Sequence, residues 1–531
     1  MDIIYLYYFL GSFIVTFIVM PFGLKLIRNL NITDKPNSRK VHSQETPSGG
    51  GLIIFFGIFI SMIPFIIQFN EYLMLSISYF LGLLIIFIMG FMDDKNDLSP
   101  KIKLLAQVVS ATIFVSLSDE FINITFFDSN LFSVLFTIFF IISVVNAYNL
   151  IDGLDGLASG LAIISISSLL VLFESSFSII FYSIIGILFA FLRRNSYPAK
   201  IFLGNTGSYM LGYSVAVLSV LIIRNSQIYD MNFYIHIMCI ILCIGLPIID
   251  TTYAFLRRLW NGEHIFKADK KHLHHIILSY NLSHKDSVST MYILQSALSI
   301  LCLNIANYSI PATYLVIMSL FIIKHIFTIL DFRAVFFSTI FTKIKFLNNA
   351  YIYFFFSILI FISMVAVQNS QSIFNSNFLY LTLITLFINL LFILDKRTRE
   401  NNNIDVSILV SSAIVIYFCF INLTNISNDS WIFIITDFIW YPVTFGIILS
   451  LFGLFKEKND LLESPTEYLI LFYVCIIMPI TMTVPINLFF LKIIIILIMY
   501  KIILQDKVIR EFNIIHFMNI LILFILVINN I

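Results

Sequence analysis

The sequence predicts an all-α polytopic membrane protein, on three observations. Of 531 residues, 60% are hydrophobic and only 11% charged, with a mean hydropathy of +0.97; a soluble domain averages about 25% charged. Apolar runs of roughly 20 residues recur from end to end, the length that crosses a hydrocarbon core of about 30 Å. The runs do not alternate polar with apolar residues, which excludes barrel strands. Lipid cannot satisfy backbone groups, so the spans must be helices.

About eleven spans are expected first, near 3–24, 50–69, 73–92, 102–118, 131–147, 157–173, 177–192, 207–223, 233–250, 287–305 and 310–328. About seven more follow near 350–368, 377–394, 405–421, 431–454, 467–484, 487–505 and 513–530. With the N-terminus outside, almost every Lys and Arg falls in a cytoplasmic loop or at its edge; Arg224 is the exception and Lys492 is ambiguous. The positive-inside rule sets that orientation. Only Asp2 precedes the first span as a charge, and no small-residue cleavage site follows, so it reads as a retained helix. The five cysteines all fall in spans and read as buried thiols. A net charge of +1 says little about partners, and no nucleic-acid motif or internal repeat is present.

Polar chemistry gathers in loops 25–48, 92–103, 148–157, 193–206 and 251–285, all on the expected cytoplasmic side. Beyond a linker at 336–349 the loops are plain charge runs, such as DKRTRENNN at 395–403. This divides the chain into a membrane domain over 1–335, the linker, and a multi-helix extension over 350–531 that offers no motif.

Five stretches carry candidate chemistry. In FMDDKNDLSPKIKLLAQ, Asp93 and Asp94 are adjacent at the inner end of a span. Like charges there cost energy unless a cation sits between them; the bland alternative is an acid-capped helix end. In NLIDGLDGLASG, Asp152 and Asp155 are three apart, so a helical turn would put both on one face with Asn149. Gly153 and Gly156 leave room for a ligand to approach the backbone. HIFKADKKHLHH crowds His272, His274 and His275 beside Lys267, Lys270 and Lys271. Imidazolium and ammonium donors there suit a pyrophosphate, although an ordinary basic loop reads the same way. FLGNTGS turns Gly204, Gly207 and Ser208 into a helix start whose free N–H groups can face an anion. DKPNSRKVHSQETPSGGG places Arg39, Lys40 and His42 next to a flexible Pro/Gly run. Acids for Mg²⁺ and bases for phosphate on one membrane face suggest phosphoryl transfer.

These motifs, in this order over roughly residues 1–330, resemble the polyprenyl-phosphate N-acetylhexosamine-1-phosphate transferases of glycosyltransferase family 4. They look most like the branch that starts O-antigen, common antigen or teichoic acid linkage units, a relative of the phospho-N-acetylmuramoyl-pentapeptide transferases. The resemblance implies transfer of a sugar-1-phosphate from a UDP-N-acetylhexosamine to undecaprenyl or another polyprenyl phosphate, with release of UMP. It implies Mg²⁺, with Mn²⁺ as a substitute, and a bacterial inner-membrane enzyme whose site faces the cytoplasm. Asp93 and Asp94 would stand near the lipid phosphate and metal, with Lys103 holding that phosphate. Asn149, Asp152 and Asp155 would line the nucleotide–metal site, and His272, His274 and His275 would contact the diphosphate. Lys40, His42, Gly204, Ser208 and Lys267 are expected to help bind substrate. Metal ligands would come from Asp152, Asn205, Asp93 and Asp94.

The family usually has Asp where this chain has Asn205. An amide oxygen coordinates Mg²⁺ without bringing charge. Three outcomes stay open: an active enzyme, an altered metal or sugar preference, or a homologue that only binds or transports its lipid or nucleotide sugar. A homodimer and glycan-assembly partners are also left open.

Overall fold

The structure, a computed structural model, describes residues 3–34, 46–123, 130–173, 175–228, 233–261, 272–279 and 283–305. These fall within one compact unit, Met1–Ile310. The expected eleventh span, the linker at 336–349 and the extension at 350–531 lie outside the described residues.

The fold is almost wholly helical: α1 (Ile3–Asn29), α2 (Gly50–Gln68), α3 (Leu73–Asn96), α4 (Pro100–Ser118), α5 (Asn130–Ile151), α6 (Leu157–Val171), α7 (Ser178–Asn195), α8 (Gly204–Ile228), α9 (Phe233–Cys243), α10 (Gly245–Trp260), α11 (Leu273–Ser279) and α12 (His284–Ile305). Among the described residues, eight helices are long and apolar enough to cross a membrane, or nine if the bent pair α9–α10 forms one span. Among the described residues the one pair of strands is a two-residue antiparallel ribbon, β1 (Thr33–Asp34) with β2 (Thr46–Pro47).

At the centre is α8, whose apolar stretch is entirely buried. It packs on α2, α3, α5, α6 and α9. Its hydroxyls are satisfied within the fold: Ser214 and Ser219 donate to the carbonyls of Met210 and Val215 at 2.9 and 2.8 Å. A polar group left unpaired among apolar helices would cost several kcal/mol, on the order of its full desolvation.

Three expectations are revised. The span at 233–250 is broken: α9 ends at Cys243 and α10 leaves at 83°. Pro247 sits in the first turn of α10, where its missing N–H costs nothing. The backbone groups freed at the break are held by one side chain of α12. The Gln295 amide accepts the Leu246 N–H at 2.9 Å and donates to the carbonyls of Leu242 and Cys243 at 3.3 and 2.6 Å. Residues 251–260, read as loop, are the rest of α10. The span at 157–173 is a 15-residue helix, α6, every residue of which is buried.

The run PSGGG is a seam here. Gly50 and Gly51 N–H donate to the carbonyls of Phe202 and Leu203, both at 3.0 Å, and Phe202 N–H donates back to Pro47 at 2.8 Å. Ser48 N–H meets the carbonyl of Ile32 just past α1. The C-terminal end of α1 therefore lies at the same end of the bundle as the start of α8, and α1 begins at the opposite end. Arg224, out of place in the charge pattern, lies 3.9 Å from Glu120 and over the Phe121 ring.

Candidate active site

The ends of α3 and α5 and the starts of α8, α11 and α12 meet at that end of the bundle. Adjacent residues on a helix point about 100° apart, and Asp93 and Asp94 serve different neighbours. Asp93 is 1% exposed. Its Oδ1 accepts the Leu98 N–H at 2.8 Å, and its Oδ2 makes an ion-pair contact with Lys103 Nζ at 2.7 Å. The pair ties α3 to α4, so Lys103 already neutralises a carboxylate of its own chain. Asp94 accepts the N–H groups of Asn205 and Thr206 at 2.7 and 3.0 Å and the Thr206 hydroxyl at 2.5 Å.

Asp94 thus caps α8 from another helix, at the positive end of its dipole. The helix start that the sequence offers to an anion is occupied by this carboxylate. Gly204 permits the approach: its φ is +73°, and a Cβ there would stand 2.7 Å from Asp94 Oδ2. The two adjacent acids thus have separate partners within the chain, an ammonium and a helix terminus.

Asn149, in the last turn of α5, donates from Nδ2 to Asn205 Oδ1 at 2.9 Å and to Ser208 Oγ at 3.0 Å. Asn149, Asn205 and Ser208 therefore form one polar net beside Asp94.

Asp152 and Asp155 do not share a helical face. α5 stops at Ile151 and α6 starts at Leu157, with Gly156 at φ +79° between them. Asp155 Oδ2 accepts the Ala199 N–H at 2.9 Å, and its own N–H donates to His284 Nε2 at 2.9 Å. Asp152 makes no hydrogen bond or ion pair with the described residues and stays partly open to solvent. Burial, and then the charges of Asp94 and Asp155, push its carboxyl up to about 8. Among the described residues it has no counter-charge.

The histidines are divided as well. Asp250, buried on α10, binds His272 Nδ1 at 3.1 Å and the Leu273 N–H at 2.8 Å, so one carboxylate orients the imidazole and starts α11. His274, 2% exposed, packs on Gly153, where any Cβ would overlap its ring. The glycine that looked open to a ligand makes room for this histidine. Burial first, then His275, lower the His274 imidazole to about 3. Burial therefore favours its uncharged form over the imidazolium expected, and its Nδ1 has no hydrogen-bond partner among the described residues. The His275 ring lies 4.2 Å from it. Lys40, His42, Lys267, Lys270 and Lys271 lie outside the described residues.

Sequence reasoning passed over Thr206, Asp250, His284 and Tyr292. Asp250 had a signal, an acid closing the apolar run GLPIID. Thr206 and Tyr292 had none, because their partners are Asp94 and the Gly156 carbonyl, far off in sequence.

Buried acids, an Asn–Asn–Ser net and oriented histidines at the end of a helical membrane bundle define an enzyme-like polar site at the bundle's end. Comparison with known proteins identifies the group. Residues 76–223 match the model of Glycosyl transferase family 4. The chain is 35% identical over 328 residues to a Bacillus subtilis (strain 168) protein described as "Probable undecaprenyl-phosphate N-acetylglucosaminyl 1-phosphate transferase", covering 60% of this chain and 89% of that one. It is 34% identical over 265 residues to the undecaprenyl-phosphate alpha-N-acetylglucosaminyl 1-phosphate transferase of Thermotoga maritima, covering 50% and 78%. It is 30% identical over 303 residues to a phospho-N-acetylmuramoyl-pentapeptide-transferase of Listeria monocytogenes, covering 51% and 90%. The chain belongs to glycosyl transferase family 4.

Proposed function

We propose that the protein transfers an N-acetylhexosamine-1-phosphate from a UDP-sugar to undecaprenyl or a similar polyprenyl phosphate, releasing UMP, as a first membrane step of a cell-surface polysaccharide. The similarity to two N-acetylglucosaminyl 1-phosphate transferases supports the lipid acceptor and the sugar class. The observation that carries the reading is Asp152, which feels the charges of Asp94 and Asp155 and has no ion-pair partner among the described residues, in a site that also holds the Asn149–Asn205 amides. A divalent cation would relieve it, and Mg²⁺ fits: it takes one or two carboxylates and leaves other positions to phosphate and water. Asp152, with the Asn205 amide oxygen, would hold it. When bound it would neutralise charge on the donor's diphosphate.

The chain's own groups then position the reactants. Asp94 and Gly204 fix the start of α8, so Asn205 and Ser208 keep their places. Asp93 and Lys103 hold the α3–α4 corner, where Lys103, still 26% exposed, would contact an acceptor phosphate. Neutral His274 and the His272–Asp250 dyad offer hydrogen bonds to phosphoryl oxygens. Positioning and electrostatics supply most of the rate in such transfers. The charge pattern favours a site on the cytoplasmic side, where a soluble nucleotide sugar meets a lipid confined to the bilayer.

The test is UMP release by the purified, detergent-solubilised full chain with undecaprenyl phosphate, Mg²⁺ or Mn²⁺ and a panel of UDP-N-acetylhexosamines, beside Asn205→Asp. Turnover by the wild type is expected and would identify the sugar. Silence in the wild type with turnover in Asn205→Asp would mean a scaffold disabled at its metal. Silence in both would point to a binding or transport role.

A further inference from the structure

The loop from Asp152 to Gly156 joins α5 to α6 and carries Asp152, which has no ion-pair or hydrogen-bond partner among the described residues. Nothing in it is helical, and within it only Gly153 N–H bonds to a carbonyl of α5's last turn, that of Ile151, at 2.8 Å. Its position is imposed from outside, largely by α12. His284 opens that helix, and its Nε2 accepts the Asp155 N–H at 2.9 Å. About two turns further on, the Tyr292 hydroxyl donates to the Gly156 carbonyl at 2.6 Å. The His284 ring also stacks on Tyr197, with centroids 4.5 Å apart and planes at 25°. Tyr197 belongs to the same short segment whose Ala199 N–H binds the Asp155 carboxylate. The contacts close a ring: α12 to the loop, the loop to segment 196–203, and that segment back to His284.

We infer that His284 is a positioning residue: by holding the Asp155 amide it seats the Asp152–Gly156 loop against α12 and so sets where the Asp152 carboxylate stands. An imidazole nitrogen that accepts an N–H must be unprotonated, so the proton sits on Nδ1. In this arrangement Asp155 acts as an anchor through both its amide and its carboxylate, and Asp152 is left to face the ligand. The kinetic part of this inference rests on the transfer reading above; the positional part does not.

Two substitutions separate the ring from the acceptor. His284→Phe keeps the stack on Tyr197 and removes the acceptor. His284→Gln loses the ring but places an amide oxygen near the position of Nε2. Each full-length variant would be examined by hydrogen–deuterium exchange in detergent and by steady-state UMP release. In His284→Phe, peptides covering 150–160 are expected to exchange faster, kcat to fall by roughly ten- to a hundredfold as expected for a misplaced group, and KM for the UDP-sugar to stay within about threefold. His284→Gln is expected to restore protection and most of kcat. Unchanged exchange over 150–160 in His284→Phe would overturn the inference, as would equal losses in the two variants accompanied by a matching fall in thermal stability. Should the wild type release no UMP, the transfer reading fails, while the exchange difference still decides the role of His284.

Discussion

Asp152 shows how a single side chain carries testable consequences. An unfolded carboxyl loses its proton near 3.8, and the folded one holds it to about 8. Between those values the folded state binds more protons, so its stability falls as pH rises. In metal-free protein the thermal midpoint is expected to drop from pH 5 to pH 8, and Mg²⁺ is expected to restore it most strongly at the upper end. A differential-scanning series with and without chelator checks this. Asp152→Asn is expected to flatten that dependence and to cut UMP release by about two orders of magnitude, as for a lost electrostatic contact in a transition state. Gly153→Ala is expected to disturb the site by pushing His274 aside; loss of turnover with little loss of stability is the outcome to look for. The residue types at these positions were legible in the sequence. Their partners were not: Asp94 and Thr206 are 112 residues apart, and Asp155 and His284 are 129 apart. Spacing along one chain tells which residues share a turn, and says nothing of which turns meet.

Most helices were legible as elements, because apolar length alone marks a span. Their ends and breaks were less so. A helix that continues past the apolar run, as α10 does to Trp260, leaves no hydropathy signal. The α9–α10 break was hidden because Leu, Ile and Cys surround it, and its stabilising partner is a glutamine on another helix. Gln295→Leu is expected to strand the Leu246 N–H and two carbonyls at a cost of about 1–3 kcal/mol per buried group. Lower thermal stability and faster exchange at 240–250 would be measured, with His272 losing its orientation because Asp250 rides on the same helix. Gln295→Glu keeps an acceptor for Leu246 but loses the donors, so an intermediate effect is expected.

On the scale of the whole molecule, the relatives match 50–60% of this chain while covering 78–90% of their own lengths. The family's transferase region is therefore expected to suffice. A chain ended near residue 335, at the start of the sequence-defined linker, is expected to retain UMP release within severalfold of full length; loss of all turnover in a well-folded truncation would make the extension part of the enzyme. Family membership was legible from ordered motifs alone, since five short patterns in one order are hard to reach by chance. The extension's role was not, since its loops carry charge without pattern.

The bridge made by Gln295 also bears on how the protein is born. Leu246 and Gln295 are separated by 49 positions, so the ribosome exposes the bent α9–α10 segment before it has made the side chain that satisfies it. Gln295 lies about 16 Å along α12 from its start, at 1.5 Å per residue, well inside the apolar span. Until α12 is made, the segment lacks the side chain that pairs these backbone groups, and hydrocarbon would offer no substitute. Insertion of the two should therefore be concerted, with the earlier segment waiting at the translocon. A nascent chain halted before α12 is expected to be a substrate for membrane proteases.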